Sequence, residues 1–191
     1  VQLKFRGRRL SAEEIRDSIL SFSGDLNLKL GGPGVYPLLP DEVLATASRP
    51  DSAWGRSSKE ESSRRSIFIH VKRSLLHPML QAFDMADTDN PCPVRFNTIQ
   101  PTQALTLLNS DFSERQAKSF ADRLENEHSN TRDRIRACML IVSQKAPAPQ
   151  RVDENLSFFE NLKSEHDLND RQALEIFCLM ALNLTETIHI D

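Results

Sequence analysis

The chain has 191 residues, 39% of them hydrophobic and 27% charged, with a formal net charge of -3. That is enough apolar material for a real core in a soluble globular chain, and the charge gives no global attraction to nucleic acid or anionic membranes. No run of roughly 18 apolar residues occurs, so no membrane-spanning segment is expected.

Val1–Leu10 carries Lys4, Arg6, Arg8, Arg9 and the amino terminus, and reads as a strand arriving from a preceding domain or as a solvated arm. Ser11 and Glu14 have capping-box spacing, Ile15, Ile19, Leu20 and Phe22 form an apolar stripe, and Gly24 suits a C-terminal cap; a helix is expected over 11–23. Residues 25–58 differ in kind. GGPG at 31–34 and prolines at 33, 37, 40 and 50 forbid long regular elements, leaving an ordered loop with one short helix near Asp41–Ala47. The GGPG turn lacks the GK[ST] ending of a phosphate loop. Tyr36 and Trp54, alone of their kinds, sit in this loop and either anchor it or line a ligand site.

Over Lys59–Asp84 two periods compete: Ile67, Ile69 and Val71 alternate as in a strand, whereas Ile67, Val71, Leu75 and Met79 fall on a helical ladder. The length of the run favours a helix, kinked or ended by Pro78. After a polar turn, Pro101 opens a helix with Ala104, Leu105, Leu107 and Leu108 as its expected buried face. Further helices are expected from Phe112 to near His128, over 133–142, and as a pair over 154–162 and 170–182 after the KAPAP break. The fold class is therefore mainly α: an irregular multi-helix array with a long Pro/Gly-rich ordered loop. One helical domain is expected over 1–191, with loop segment 25–58, central helices 59–128 and C-terminal helices 129–191.

The densest mixture of charge, turn residues and apolar periodicity runs from Arg64 to Asn109. Asp84, Asp87 and Asp89, with Asn90, offer oxygens in a turn and are a candidate Ca²⁺ site, although the glycine and closing glutamate of an EF-hand are missing. Alternatively these acids cap helix ends and pair with Arg64, Arg65, Arg73 or Arg95. A candidate anion or glycan site comprises Arg64, Arg65, Arg73 and Arg95 with Gln100, Thr102, Gln103 and Asn109, since arginine forks suit carboxylate or sulfate and amides suit sugar hydroxyls. The bland counterpart is a buried network fastening loop 85–100 to the helices. Cys138 and Cys178 lie in apolar runs as buried thiols, and Cys92 is a loop cysteine, either a reactive thiol, half of a disulfide, or a packed thiol. His70 with Cys92, or Glu60 with Glu61, has no spacing that demands catalysis. Nucleic-acid binding has only the basic N-terminal arm behind it, with no interleaved aromatics.

The stretches RRLSAEEIRDSIL (8–20), GGPGVYPLLP (31–40), RRSIFIHVKRS (64–74) and AFDMADTDNPCPVRFNTIQPTQALTLLN (82–109) resemble the C-terminal part of the planctomycete surface domain proteins, domain of unknown function 1553. The tail ALNLTETIHID (181–191) resembles that family's closing segment, with Thr187 and His189 where aromatics are usual. KAPAPQRVDE departs from the family's Arg-x-Pro-Thr pattern. The resemblance implies a C-terminal piece of a large exported protein, periplasmic or at the cell surface, with a companion domain and often a haem-bearing cytochrome c domain on its N-terminal side. It implies no known activity; with no CxxCH or zinc spacing, no cofactor is expected in this chain itself. The partners expected are the other domains of the parent chain and, more remotely, glycan.

Three roles follow: a non-catalytic structural or interaction domain, a substrate-site contributor in an enzyme of extracellular polysaccharide turnover, or a carbohydrate-binding module. One Trp and one Tyr speak against the last. A sealed, fully paired polar centre favours the first role, and an open cleft with a ligand favours the second.

Overall fold

The computed structural model describes residues 8–86, 88, 98 and 100–190, without the side chains of Pro50 and Asp51. Its architecture is mainly α, an irregular array of helices with one two-stranded sheet. Strand β1 is Arg8–Arg9, followed by helices α1 (Ala12–Ser23), α2 (Asp41–Ala45), α3 (Pro50–Ala53) and α4 (Lys59–Ser62), then a 3-10 turn at Ser66–Phe68. Next come α5 (Pro78–Ala82), α6 (Pro101–Leu108), α7 (Asp111–Glu127), α8 (Thr131–Ser143), α9 (Pro149–His166), α10 (Asp170–Leu182), α11 (Thr185–Ile188) and strand β2 (His189–Ile190).

Helix α1 starts where local chemistry dictates. Ser11 Oγ accepts from the Glu14 amide and Glu14 Oε2 accepts from the Ser11 amide, and the helix stops at Gly24, whose φ of 82° only glycine adopts cheaply. Its inward face is Ala12, Ile15, Arg16, Ile19, Leu20 and Ser23. That face meets α7, whose buried residues Ala117, Phe120, Ala121 and Leu124 recur at helical spacing. The most extensive helix pairing is α7 with α10, through Ala173, Leu174, Phe177, Cys178 and Ala181. Helices α8 and α9 close the other side with Ile135, Cys138, Val142 and Phe159. Each fully buried Leu, Ile or Phe in this cluster contributes about 1.5–3 kcal/mol relative to exposure. One hydrophobic cluster runs from Leu10 to Leu182. Arg123 donates to the Phe22 carbonyl at 2.9 Å, fixing the end of α1 to α7. The first and last described residues meet where β1 pairs antiparallel with β2, and the Leu10 amide donates to Ile188 O at 2.7 Å.

Two expectations are corrected. The stretch before Pro78 is not a helix. α4 ends at Ser62, and after the 3-10 turn Ile69 runs extended beside Val35, with the Val35 amide donating to Phe68 O at 2.8 Å and the His70 amide donating back to Val35 O at 2.9 Å. β-Branched Ile69 suits the extended backbone and points inward, whereas Ile67 sits in the 3-10 turn and is 73% exposed. Pro78 therefore starts α5 rather than ending a longer helix. On α6 only Leu107 of the expected apolar face is buried, while Leu105 and Leu108 face outward. No helix among the described residues is long and apolar enough to cross a membrane.

Candidate functional site

The expected polar centre divides into separate clusters. Arg64 is fully buried, and its guanidinium faces the glycine-rich loop. Nε donates to Lys29 O at 3.3 Å, Nη1 to Pro33 O at 3.4 Å and to Glu61 Oε2 at 3.2 Å, and Nη2 to Gly31 O. The Phe68 ring lies beneath it, with the guanidinium carbon 4.2 Å from the centroid. Gly31 and Gly32 have φ of 72° and 88°, the left-handed conformations that turn these carbonyls toward one cation. Glu61 also takes Lys29 at 2.6 Å. The glycines thus serve an internal arginine. Tyr36, Trp54 and His70 pin the next part of the loop, their ring centroids 4.9–5.9 Å apart, and Trp54 Nε1 donates to Pro37 O at 2.8 Å.

The second cluster centres on Asp84, which has a φ of 60°. Aspartate tolerates this left-handed position better than most residues. Its Oδ2 accepts from Arg9 Nη2 at 2.7 Å and from the Thr98 amide at 2.8 Å, and its Oδ1 accepts from the Thr98 hydroxyl at 2.8 Å. Partial burial pushes the Asp84 carboxyl upward, but the Thr98 and Arg9 contacts outweigh it and hold the group below its ordinary range. Arg9 also donates to Phe83 O at 3.0 Å and to Thr98 O. Gln103 is buried and gives its amide to Ala82 O and Thr98 O, each at 3.1 Å. This is a knot joining β1, the end of α5 and the start of α6.

Of the remaining candidates, Arg65 lies apart from Arg64, with Nε 3.3 Å from Asp17 Oδ2, and Asp17 also holds the Ser66 amide at 2.7 Å. Arg73, Gln100, Thr102 and Asn109 are exposed. Thr102 reaches only Gln100 Oε1 at 3.4 Å, and Asn109 terminates α6. Asp87, Asp89, Asn90, Cys92 and Arg95 lie outside the described residues. Asp84 therefore stands with Arg9, Thr98 and Gln103, and Gln100 borders them through its amide, 3.4 Å from Gln103 Oε1, whereas Arg64, Arg65 and Asn109 are on other parts of the surface or core. Among the described residues no group of three or more His, Cys, Asp or Glu is disposed to hold a metal ion. Cys138 and Cys178 are buried free thiols, and burial, reinforced by Cys138, pushes the Cys178 thiol upward.

Two buried groups escaped the sequence reading. Arg16 is 2% exposed and donates to neutral acceptors, Ser62 O at 2.6 Å, Arg64 O at 3.1 Å and Ser66 Oγ at 3.2 Å, with the Asp17 carboxylate 4.0 Å away. Burial lowers its pKa to about 10. His77 is equally hidden, and burial, followed by repulsion from Arg16 and Arg115, lowers it to about 3. The signal for Arg16 was available: positions 12, 16 and 20 share one face of a helix with i, i+4 spacing, the face that also carries Ala12 and Leu20. A cleft of about 850 Å³ lies between α1 and the α8–α11 end, but its charged α1 residues are matched, Glu14 with Arg8 at 2.7 Å and Asp17 with Arg65.

What the fold and these clusters define is a helical scaffold whose conspicuous arginines hold its own loops. The PSD1 family, described as protein of unknown function (DUF1553), matches residues 2–159, and the chain belongs to it. The tail resemblance at 181–191 lies beyond the matched residues. No curated protein and no solved structure matches the chain.

Proposed function

We propose that this chain is a non-catalytic structural and interaction domain of a larger exported protein, docking against other domains of the same parent chain. The observation that carries the reading is Arg64. The most deeply buried cation of the polar centre commits its donors to the carbonyls of residues 29, 31 and 33, which leaves no open charged pocket there. Holding that loop has a purpose if its outer side is used. Leu28 and Leu30 are 67% and 79% exposed on the clamped strip, and Ile67 is exposed on the neighbouring one. Large apolar side chains on an ordered strip suit a protein partner. The partner class and the exported location proposed here rest on the family resemblance, with cytochrome c domains among the candidates.

The experiment has two arms. This chain and the remainder of the parent protein, expressed separately, should form a complex, and Leu30→Asp should weaken it. Absence of any complex would sink the docking reading. Incubated with polysaccharides, the chain alone should release no reducing ends. Release that disappears in Asp84→Asn would move the assignment to an enzyme of polysaccharide turnover. Saturable binding of neutral glycans would instead favour a carbohydrate-binding module.

A further inference from the structure

A groove of about 520 Å³ runs between α1, the segment 57–63 and the N-terminal half of α7. This is within the usual size of small-molecule sites. Its floor is Arg16, whose charge faces no carboxylate closer than Asp17 at 4.0 Å, and Asp17 is itself taken by Arg65 and Ser66. At the rim stand Arg115, Lys118 and Lys59, all exposed. Among the described residues none of these three has an ion-pairing carboxylate. The single acid in the lining, Asp122, lies 2.7 Å from Arg171, which it shares with Glu125 and Glu175, so four cations face one carboxylate across the groove.

Two polar side chains in the wall are more than nine-tenths buried and incompletely satisfied: Arg16 Nε and His77 Nδ1 have no hydrogen-bond partner. Folded chains rarely leave buried polar atoms so. The adjoining recess shares Lys59, Ser119 and Asp122 but also contains Asp25 and Glu127. Positive charge is therefore concentrated at the Arg16–Arg115 end. Leu20, Pro37, Leu38 and Phe112 give the same groove an apolar side, and Leu38 is 67% exposed beside it.

We propose that this groove binds a small organic oxyanion, a carboxylate or sulfate on a compact body. Arg115 and Lys118 make the charged contacts, and Pro37, Leu38 and Phe112 seat the rest of the molecule. The unbalanced charge selects an anion, since a neutral ligand would leave Arg16 uncompensated in a wall that already lowers its basicity. The mixed lining selects an organic anion over a bare one, because only a ligand with a body covers the apolar side. No covalent step is implied.

The test is a titration of the ¹⁵N-labelled chain at constant ionic strength with three sodium salts: benzoate, glucuronate and sulfate. At least one of the two organic acids should bind saturably and shift the amides of Leu38, Arg115, Lys118 and Ser119. Benzoate and glucuronate distinguish an apolar body from a hydroxylated one. Arg115→Gln should weaken binding about tenfold, the loss expected on removing one charged hydrogen bond. Arg132→Gln, at an exposed pair with Asp153 elsewhere, should leave it unchanged. Saturation by sulfate alone would overturn the organic part of the proposal. No saturable shift with any salt, or binding indifferent to Arg115→Gln, would overturn it altogether.

Discussion

Arg64 and Arg16 are both fully buried, and the chain treats them in opposite ways. Arg64 has a carboxylate, three loop carbonyls and an aromatic face. Arg16 has two carbonyls, a hydroxyl and an orphan Nε, with its nearest acid 4.0 Å away and engaged elsewhere. The first arrangement is closed: every neighbour satisfies another neighbour, and no ligand is needed to balance the charge. The second is open, with further cations at its rim. Burial alone therefore does not separate scaffold from site. What separates them is whether the field around the buried charge is balanced.

That contrast is sharpest when one partner of a closed cluster is removed. Asp84→Ala leaves the Arg9 guanidinium, 4% exposed, without its acid, and should destabilise the fold by about 3–5 kcal/mol in chemical denaturation. Arg64→Ala should cost about 2–4 kcal/mol, somewhat less because water can replace it at the loop carbonyls. In the open groove the sign should differ. Arg115→Gln removes one cation from a rim that has no paired acid and should leave stability unchanged or raise it slightly, within about 0.5 kcal/mol. Thr102→Ala, on the exposed face of α6, should be silent within about the same limit.

The groove also predicts a pH signature. Below its ordinary value of 6.5 the His77 ring takes up a proton in the unfolded chain, whereas the folded chain keeps it neutral down to about pH 3. The unfolded state binds more protons in that window, so stability falls as pH drops through it, by at most about 1.4 kcal/mol per pH unit. Denaturation of His77→Gln across pH 6.5 to 4 should show a flatter decline than the parent. Parallel curves would mean that His77 is not held neutral by its surroundings. Glu14 works lower on the scale. The Arg8 contact holds its carboxyl at about 2, so that contribution is present above about pH 4.5 and fades as pH falls toward 2.

How much of this was legible in the sequence follows the range of the interactions. The capping box of Ser11 and Glu14, the Gly24 stop and the faces of α7, α8 and α10 depend on residues a few positions apart, and the periodicities revealed them. The stretch 59–77 depends on Val35, half a sheet pairing away in the loop, so its β-branched residues were outweighed by length and read as helix. The Arg64–Asn109 stretch looked like one centre because its charges are adjacent in sequence. In space Arg64 answers to residues 29–33, Arg65 to Asp17, and Asp84 to Arg9. Those partners lie outside the stretch, although Thr98 and Phe68 within it also hold Asp84 and Arg64. Charge density along a chain records the supply of polar groups, and only the fold assigns their partners.

If Arg64 holds the glycine-rich loop in place, amide hydrogen exchange will read that grip at the loop's own hydrogen bonds. Arg64→Lys keeps the charge and removes the planar fork. The amides of Asn27 and Val35, which donate to Ser63 and Phe68 at 3.0 and 2.8 Å, should then exchange much faster than in the parent chain. Helices α7 and α10 should keep their protection. Unchanged exchange at Asn27 and Val35 would show that the loop stands without the arginine, and would leave Arg64 available for another role.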